Sequence, residues 1–209
     1  GKPGGKVVVA RDTRGSGPEL EAALAAGLES AGMTVLRVGV MPSGAAAMVV
    51  PALGACAGAV LSASHNPAED NGLKFFHGDG RKLEDGEEEQ IEAQLEIEHA
   101  PRPKTAAGKP DFSGTPEARE AYRKKLQEGF GAGFSLKGLK ILVDAANGAA
   151  WQTTPEFLQG WGAEVEAMGN RPDGSNINEG CGSEHPEKLM AAVKARKGWI
   201  GLAHDGDAD

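Results

Sequence analysis

The chain has 209 residues, enough for one large domain or two of about 100 each. Hydrophobic residues at 40% and charged residues at 25% exclude a disordered polymer, and a net charge of −8 with no long basic run excludes a nucleic-acid binder. Glycine reaches 31 residues, about 15% against a typical ~7%, while aromatics are only 5%, so small aliphatic side chains must build the core. Any anionic substrate must then be held by local positive charge and backbone N–H groups. Two cysteines, Cys56 and Cys181, give neither a disulfide framework nor metal-finger spacing and suit a reducing compartment.

Lys6–Ala10 reads as a buried strand, followed by the loop Arg11–Gly17. A helix opens near Pro18, with Leu20, Leu24 and Leu28 as its expected buried stripe. Thr34–Val40 is a second strand, Ser43–Leu53 a small-residue helix and Ala57–Leu61 a third strand. Val38 to Ser64 contains no charged residue, but Pro42, Gly44, Pro51, Gly54 and Gly58 interrupt it. A helix followed by a buried parallel strand explains this run better than a membrane span. The Gly-Lys-Pro-Gly-Gly-Lys start has no apolar signal region, so a cytoplasmic protein is expected. Leu73–Phe76 is a short strand and Asp85–Glu98 an acidic helix whose Glu84–Glu98 side chains form a solvated face.

Pro101–Gly114 reads as a Pro/Gly-rich linker. Thr115-Pro116-Glu117 then opens another helix with a cap, a first-turn proline and an acid at the positive dipole end. Strand Lys140–Asp144, helix Ala149–Gln159, strand Ala163–Ala167, helix Pro186–Lys197 and strand Trp199–Ala203 complete the chain. Alternating strands and helices of this length indicate α/β architecture with mainly parallel sheets. The halves echo each other: KVVVARD at Lys6 with KILVDAAN at Lys140, SAGMTVLRVG at Ser30 with GWGAEVEAMG at Gly160, and GAVLSAS at Gly58 with GLAHDGD at Gly201. The expectation is two similar three-layer α/β/α domains, over 1–100 and 115–209, joined by the linker at 101–114. Ligands of parallel sheets bind at the C-terminal strand ends, so facing repeats would bring the loops after Leu61 and Ala203 into one cleft.

Those loops carry the chemistry. Ser62-Ala63-Ser64-His65-Asn66-Pro67 is pinned between Asn66-Pro67 and Asn71-Gly72, both turn formers, and a serine on such a turn presents its hydroxyl as a nucleophile or phosphate carrier. The bland alternative is that Asn-Pro only ends the strand; the downstream Gly72-Leu73-Lys74 weighs against it. Asp205-Gly206-Asp207-Ala208-Asp209 sets three carboxylates on one side of an extended loop. All-oxygen ligation selects a hard cation, Mg²⁺ before Mn²⁺ or Ca²⁺, and an EF-hand is excluded because Gly206 is second in the loop rather than sixth. A phosphoserine with these three aspartates would supply much of a Mg²⁺ coordination sphere for phosphoryl transfer.

SASHNP with Gly-x-Lys and then DGDAD resembles the α-D-phosphohexomutases; RDTRGSG and VDAANGA fit too. Asp173-Gly-Ser-Asn-Ile-Asn with Cys181-Gly-Ser183 and His185-Pro-Glu187 looks most like the bacterial phosphoglucosamine mutases within that family. The resemblance implies that Ser64 is phosphorylated and that Asp205, Asp207 and Asp209 hold one Mg²⁺ with its phosphate. It implies that His65 and Lys74 line the transferred group. Arg14 and Asn66 become phosphate-binding candidates, Arg14 alternatively contacting the serine loop or forming a surface salt bridge. The implied reaction interconverts glucosamine 6-phosphate and glucosamine 1-phosphate through glucosamine 1,6-bisphosphate. A phosphosugar partner, no nucleic acid, no membrane and a homodimer are expected, as is a longer four-domain protein of which this chain holds domain I, less its start, and most of domain II. Ser62 is read as structural; His77, His99 and His204 as surface or strand-end residues; Trp151, Trp161 and Trp199 as packing.

Overall fold

The computed structural model describes residues 4–95 and 111–209. Most of the expected linker, the end of the acidic helix and His99 lie outside the described residues. In chain order the elements are β1 (Lys6–Arg11), α1 (Gly17–Ser30), β2 (Thr34–Val40), α2 (Ser43–Ala52), β3 (Ala57–Leu61), β4 (Leu73–His77) and α3 (Asp85–Leu95). Then follow α4 (Pro116–Phe130), β5 (Lys140–Asp144), α5 (Thr153–Gly160), β6 (Glu164–Met168), α6 (Glu187–Lys194) and β7 (Trp199–Ala203).

The first sheet runs β2-β1-β3-β4, parallel except for antiparallel β4; the second runs β6-β5-β7, all parallel. The repeat holds at the level of single pairs. Lys6 pairs Thr34 and Lys140 pairs Glu164, while Val8 pairs Gly58 and Leu142 pairs Gly201. These are the residues that the sequence echoes superpose. The two chemistry-bearing loops therefore leave equivalent strands, β3 and β7, at their C-terminal ends.

Alternation along β1 sends Val7 and Val9 to one face, against Leu24 and Leu28 of α1, and Val8 and Ala10 to the other, against α2 and α4. The buried runs of Val and Ala suit strands covered on both faces. In α1 the expected leucine stripe is corrected at one position: Leu20 is 40% exposed, and Gly17, Glu21 and Ala25 point inward instead. The cause is electrostatic. Arg11 is buried at the end of β1, and its Nε donates to Glu21 Oε2 at 3.1 Å, which turns that face of the helix toward the sheet.

Thr115 caps α4 as its sequence predicts, its Oγ1 accepting from the Ala118 amide at 3.4 Å. α4 packs on α2 through Ala118 and Tyr122, while its Tyr122 ring lies 5.4 Å from Phe157 of α5, so one helix bridges the elements of both sheets. α5 begins at Thr153 rather than Ala149, because residues 145–150 form a tight loop with Ala146 and Asn147 in the left-handed region. Trp151 packs beside the second sheet, Trp161 against Phe130 and Phe134, and Trp199 under Lys140 and Arg196. Both cysteines are free, and no helix among the described residues is long and apolar enough to cross a membrane.

Candidate functional site

Beyond Leu61 the chain leaves the sheet as a clamped loop. The Ser62 hydroxyl donates to Asp12 Oδ2 at 2.7 Å and accepts the Ser64 amide at 3.0 Å. Ser64 adopts the left-handed region (φ 52°), a conformation that costs a non-glycine residue roughly 1–3 kcal/mol and persists only where its surroundings fix it. Here they do. Arg14 Nη2 donates to the carbonyls of Ser64 and Asn66, each at 2.9 Å, and Nη1 donates to those of Pro67 and, at 3.0 Å, Asp70. From the segment before α6, Asn178 Nδ2 donates to the same Ser64 and Asn66 carbonyls at 2.9 and 3.0 Å. Two donors from two different parts of the chain thus converge on each carbonyl.

Arg14 is fixed in turn by Asp12, whose carboxylate accepts from its Nε and its amide, both at 2.9 Å. Both side chains are fully buried, so the surface salt bridge expected as one alternative for Arg14 is excluded. Its guanidinium faces the serine loop. Burial pushes the Asp12 carboxyl above the usual range, opposed by the hydrogen bonds from Ser62 and Arg14.

The loop after β7 meets this clamp directly. Ser64 Oγ donates to Asp205 Oδ2, and a Cβ added at Gly206 would lie 2.5 Å from the Ser64 carbonyl and 2.9 Å from Asn178 Nδ2. Only glycine allows that approach. Lys74 from β4 bridges the next two carboxylates, its Nζ donating to Asp207 Oδ2 at 2.7 Å and Asp209 Oδ2 at 2.8 Å. Burial alone would lower the Lys74 pKa, but the hydrogen bonds to Asp207 and Asp209 outweigh it and hold the ammonium above its ordinary value.

Oxygens of Asp205, Asp207 and Asp209 lie within 4.8 Å of one another. Asp207 is fully buried, and among the described residues its Oδ1 has no hydrogen-bond partner. An unpartnered buried carboxylate oxygen flanked by two more carboxylates is a donor set that fits a hard divalent cation.

The other residues singled out by sequence take distinct places. His65 is exposed and lines a cavity of about 370 Å³ together with Asn178, Glu179 and His185. Asn66 donates from Nδ2 to Asp70 Oδ2 at 3.1 Å and lends its carbonyl to the clamp. His77 pairs with Glu87 Oε2 at 3.0 Å, and His204 Nε2 lies 3.0 Å from Thr154 Oγ1. Sequence reasoning missed Asn178, although it falls within the motif that begins at Asp173. It also missed Thr13, whose Oγ1 donates to the Asn147 carbonyl at 2.5 Å, and Ser43, which contacts Asp207. A serine before an alanine-rich helix reads as no more than a helix start.

Residues 2–102 match the family model described as phosphoglucomutase/phosphomannomutase, α/β/α domain I. The chain is 52% identical over 208 residues to a phosphoglucosamine mutase of Pelotomaculum thermopropionicum, covering 99% of this chain and 46% of that protein. The chain is thus similar to phosphohexomutases over nearly its whole length, and over residues 2–102 to their domain I. A phosphoglucosamine mutase of Symbiobacterium thermophilum is 50% identical over 212 residues, again covering 46% of the relative. The chain therefore spans about half the length of the curated relatives it matches. Among solved structures, a phosphoglucomutase/phosphomannomutase family protein from Burkholderia thailandensis superposes with a TM-score of 0.76 at 30% identity, over 98% of this chain and 45% of that one. That phosphohexomutase likeness accords with the mixed first sheet, the parallel second sheet and the helices around them.

Proposed function

We propose that this chain carries the phosphoserine and metal loops of a phosphoglucosamine mutase, with residues 1–100 forming domain I and residues 115–209 most of domain II. The observation that carries the reading is the contact of Ser64 Oγ with Asp205 beside the unpartnered Asp207 Oδ1. It joins a strained, half-buried nucleophile type to a divalent-cation donor set, the pair that phosphoryl transfer requires. The names of the two mutase relatives support the amino-sugar substrate over glucose or mannose phosphates.

In this reading Ser64 bears the phosphoryl group that passes to a sugar hydroxyl. The P–Oγ bond breaks as the hydroxyl oxygen bonds to phosphorus, and the hydroxyl proton leaves to a base. The resulting 1,6-bisphosphate turns round and returns its other phosphoryl group to Ser64. Bound Mg²⁺ supplies charge neutralisation of the transferring group. Asp205, Asp207 and Asp209 hold it, Lys74 adds positive charge beside the acids, and Arg14 and Asn178 keep the serine backbone fixed. His65 and the Asn66 loop border the cavity open to substrate.

Exposure to glucosamine 1,6-bisphosphate with Mg²⁺ is expected to add the mass of one phosphoryl group to the chain, and Ser64→Ala is expected to abolish the adduct. An adduct that persists in Ser64→Ala refutes the assignment. The 209 residues alone are expected to turn over little substrate. In the longer protein, a preference for mannose or glucose 6-phosphate over glucosamine 6-phosphate would replace the sugar assignment and leave the site chemistry intact.

A further inference from the structure

The geometry points to Ser43 as a positioning residue that sets the cation selectivity of the aspartate loop by holding Asp207 to one free oxygen. The inference rests on the reading of that loop as a metal site.

Ser43 opens α2 and is almost fully buried. It grips Asp207 twice. Its amide donates to the Asp207 carbonyl at 2.9 Å, and its Oγ donates to Asp207 Oδ2. α2 has no side-chain cap of its own, since Pro42 precedes it, so one of the unpaired amides of its first turn is satisfied by the metal loop.

The consequence lies in the lone pairs. Oδ2 of Asp207 accepts from Ser43 Oγ and from Lys74 Nζ, whereas Oδ1 is buried and accepts from no group among the described residues. A carboxylate tied in this way can offer a cation one oxygen. Mg²⁺ demands near-ideal octahedral geometry at short distances, with one oxygen from each carboxylate, while Ca²⁺ takes more ligands and accepts bidentate carboxylates. The Ser43 tether therefore disfavours the bidentate Ca²⁺ mode. Lys74 has a flexible stem and already shares its ammonium with Asp209, so it cannot replace the tether alone.

The test is calorimetric titration of the 209-residue chain with MgCl₂ and, separately, CaCl₂, with circular dichroism confirming the fold of each variant. Ser43→Ala is expected to weaken Mg²⁺ binding about tenfold or more, the usual effect of losing a residue that orients a ligand, and to weaken Ca²⁺ binding less. Ser43→Thr keeps the hydroxyl and should keep the parent ratio. Ser43→Cys, close to serine in shape but a weak donor, should follow alanine, and it serves if the alanine variant does not fold. Parallel weakening of both ions, or parent selectivity in Ser43→Cys, overturns the proposal while leaving the metal site standing. A parent chain that binds neither ion overturns both.

Discussion

Arg14 shows how much one side chain can fix. Its amide and Nε engage Asp12, and its terminal nitrogens engage four carbonyls of the serine loop. Removing one member of a buried ion pair leaves an uncompensated charge and costs about 3–5 kcal/mol. Arg14→Ala is expected to lose that much in urea unfolding. Arg14→Lys keeps the charge but not the planar fork, so it should fall near alanine rather than near the parent. A lysine variant within about 1 kcal/mol of the parent would show that charge, not the fork, holds the loop. The sequence placed Arg14 near the site but left its role open, because exposure and partner are tertiary properties. Ser43 was less legible still: its importance depends on Asp207, far along the chain.

At the scale of elements, the strands and their order of use were legible because continuous apolar runs and turn residues mark them. The repeat was legible to the single pair, since Lys6 with Thr34 and Lys140 with Glu164 occupy the positions the echoes superpose. The start of α5 was not. Left-handed Ala146 leaves no sequence mark, and that loop is shaped by Gly148 and Ala149 meeting the metal loop, the Ala149 amide donating to the Gly206 carbonyl at 2.8 Å. β7 is tied to α5 by His204, whose imidazole burial holds below its ordinary pKa, with Asp205 and Asp144 opposing. A depressed histidine contributes stability that is intact above pH 6.5, the unfolded value, and is lost as pH falls from there through the folded pKa. In chelator, the stability difference between the parent and His204→Gln should therefore shrink as pH falls from 8 to 5. A difference that stays flat across that range would remove His204 from the acid sensitivity of the fold.

At the scale of the whole molecule, the site is a junction between the two sheets. Ser64, Ser43 and Lys74 come from the first sheet and its helices, and each meets an aspartate that follows the second. The halves also meet away from it, the Gly15 amide donating to the Gly174 carbonyl at 2.7 Å, and Trp151 donates to the carbonyl of Phe112, before α4, at 2.9 Å. Those contacts let the chain hold together without a cation, yet they leave three carboxylates crowded in a protein of net charge −8. A cation held among the aspartates would relieve that repulsion and bind only the assembled form. Mass action then fixes the size of the effect. At a free Mg²⁺ concentration 100 times its dissociation constant, the folded state should gain about 2.7 kcal/mol. For a chain of this length that corresponds to about 5–10 °C in the thermal midpoint. Asp207→Asn removes the charge whose second oxygen stands unpartnered, so its midpoint should respond to Mg²⁺ by a small fraction of that amount. The measurement is a thermal melt of both chains in chelator and in Mg²⁺. Equal rises would mean that the ion acts elsewhere on the surface, and no rise in the parent would mean that Lys74 alone neutralises the loop.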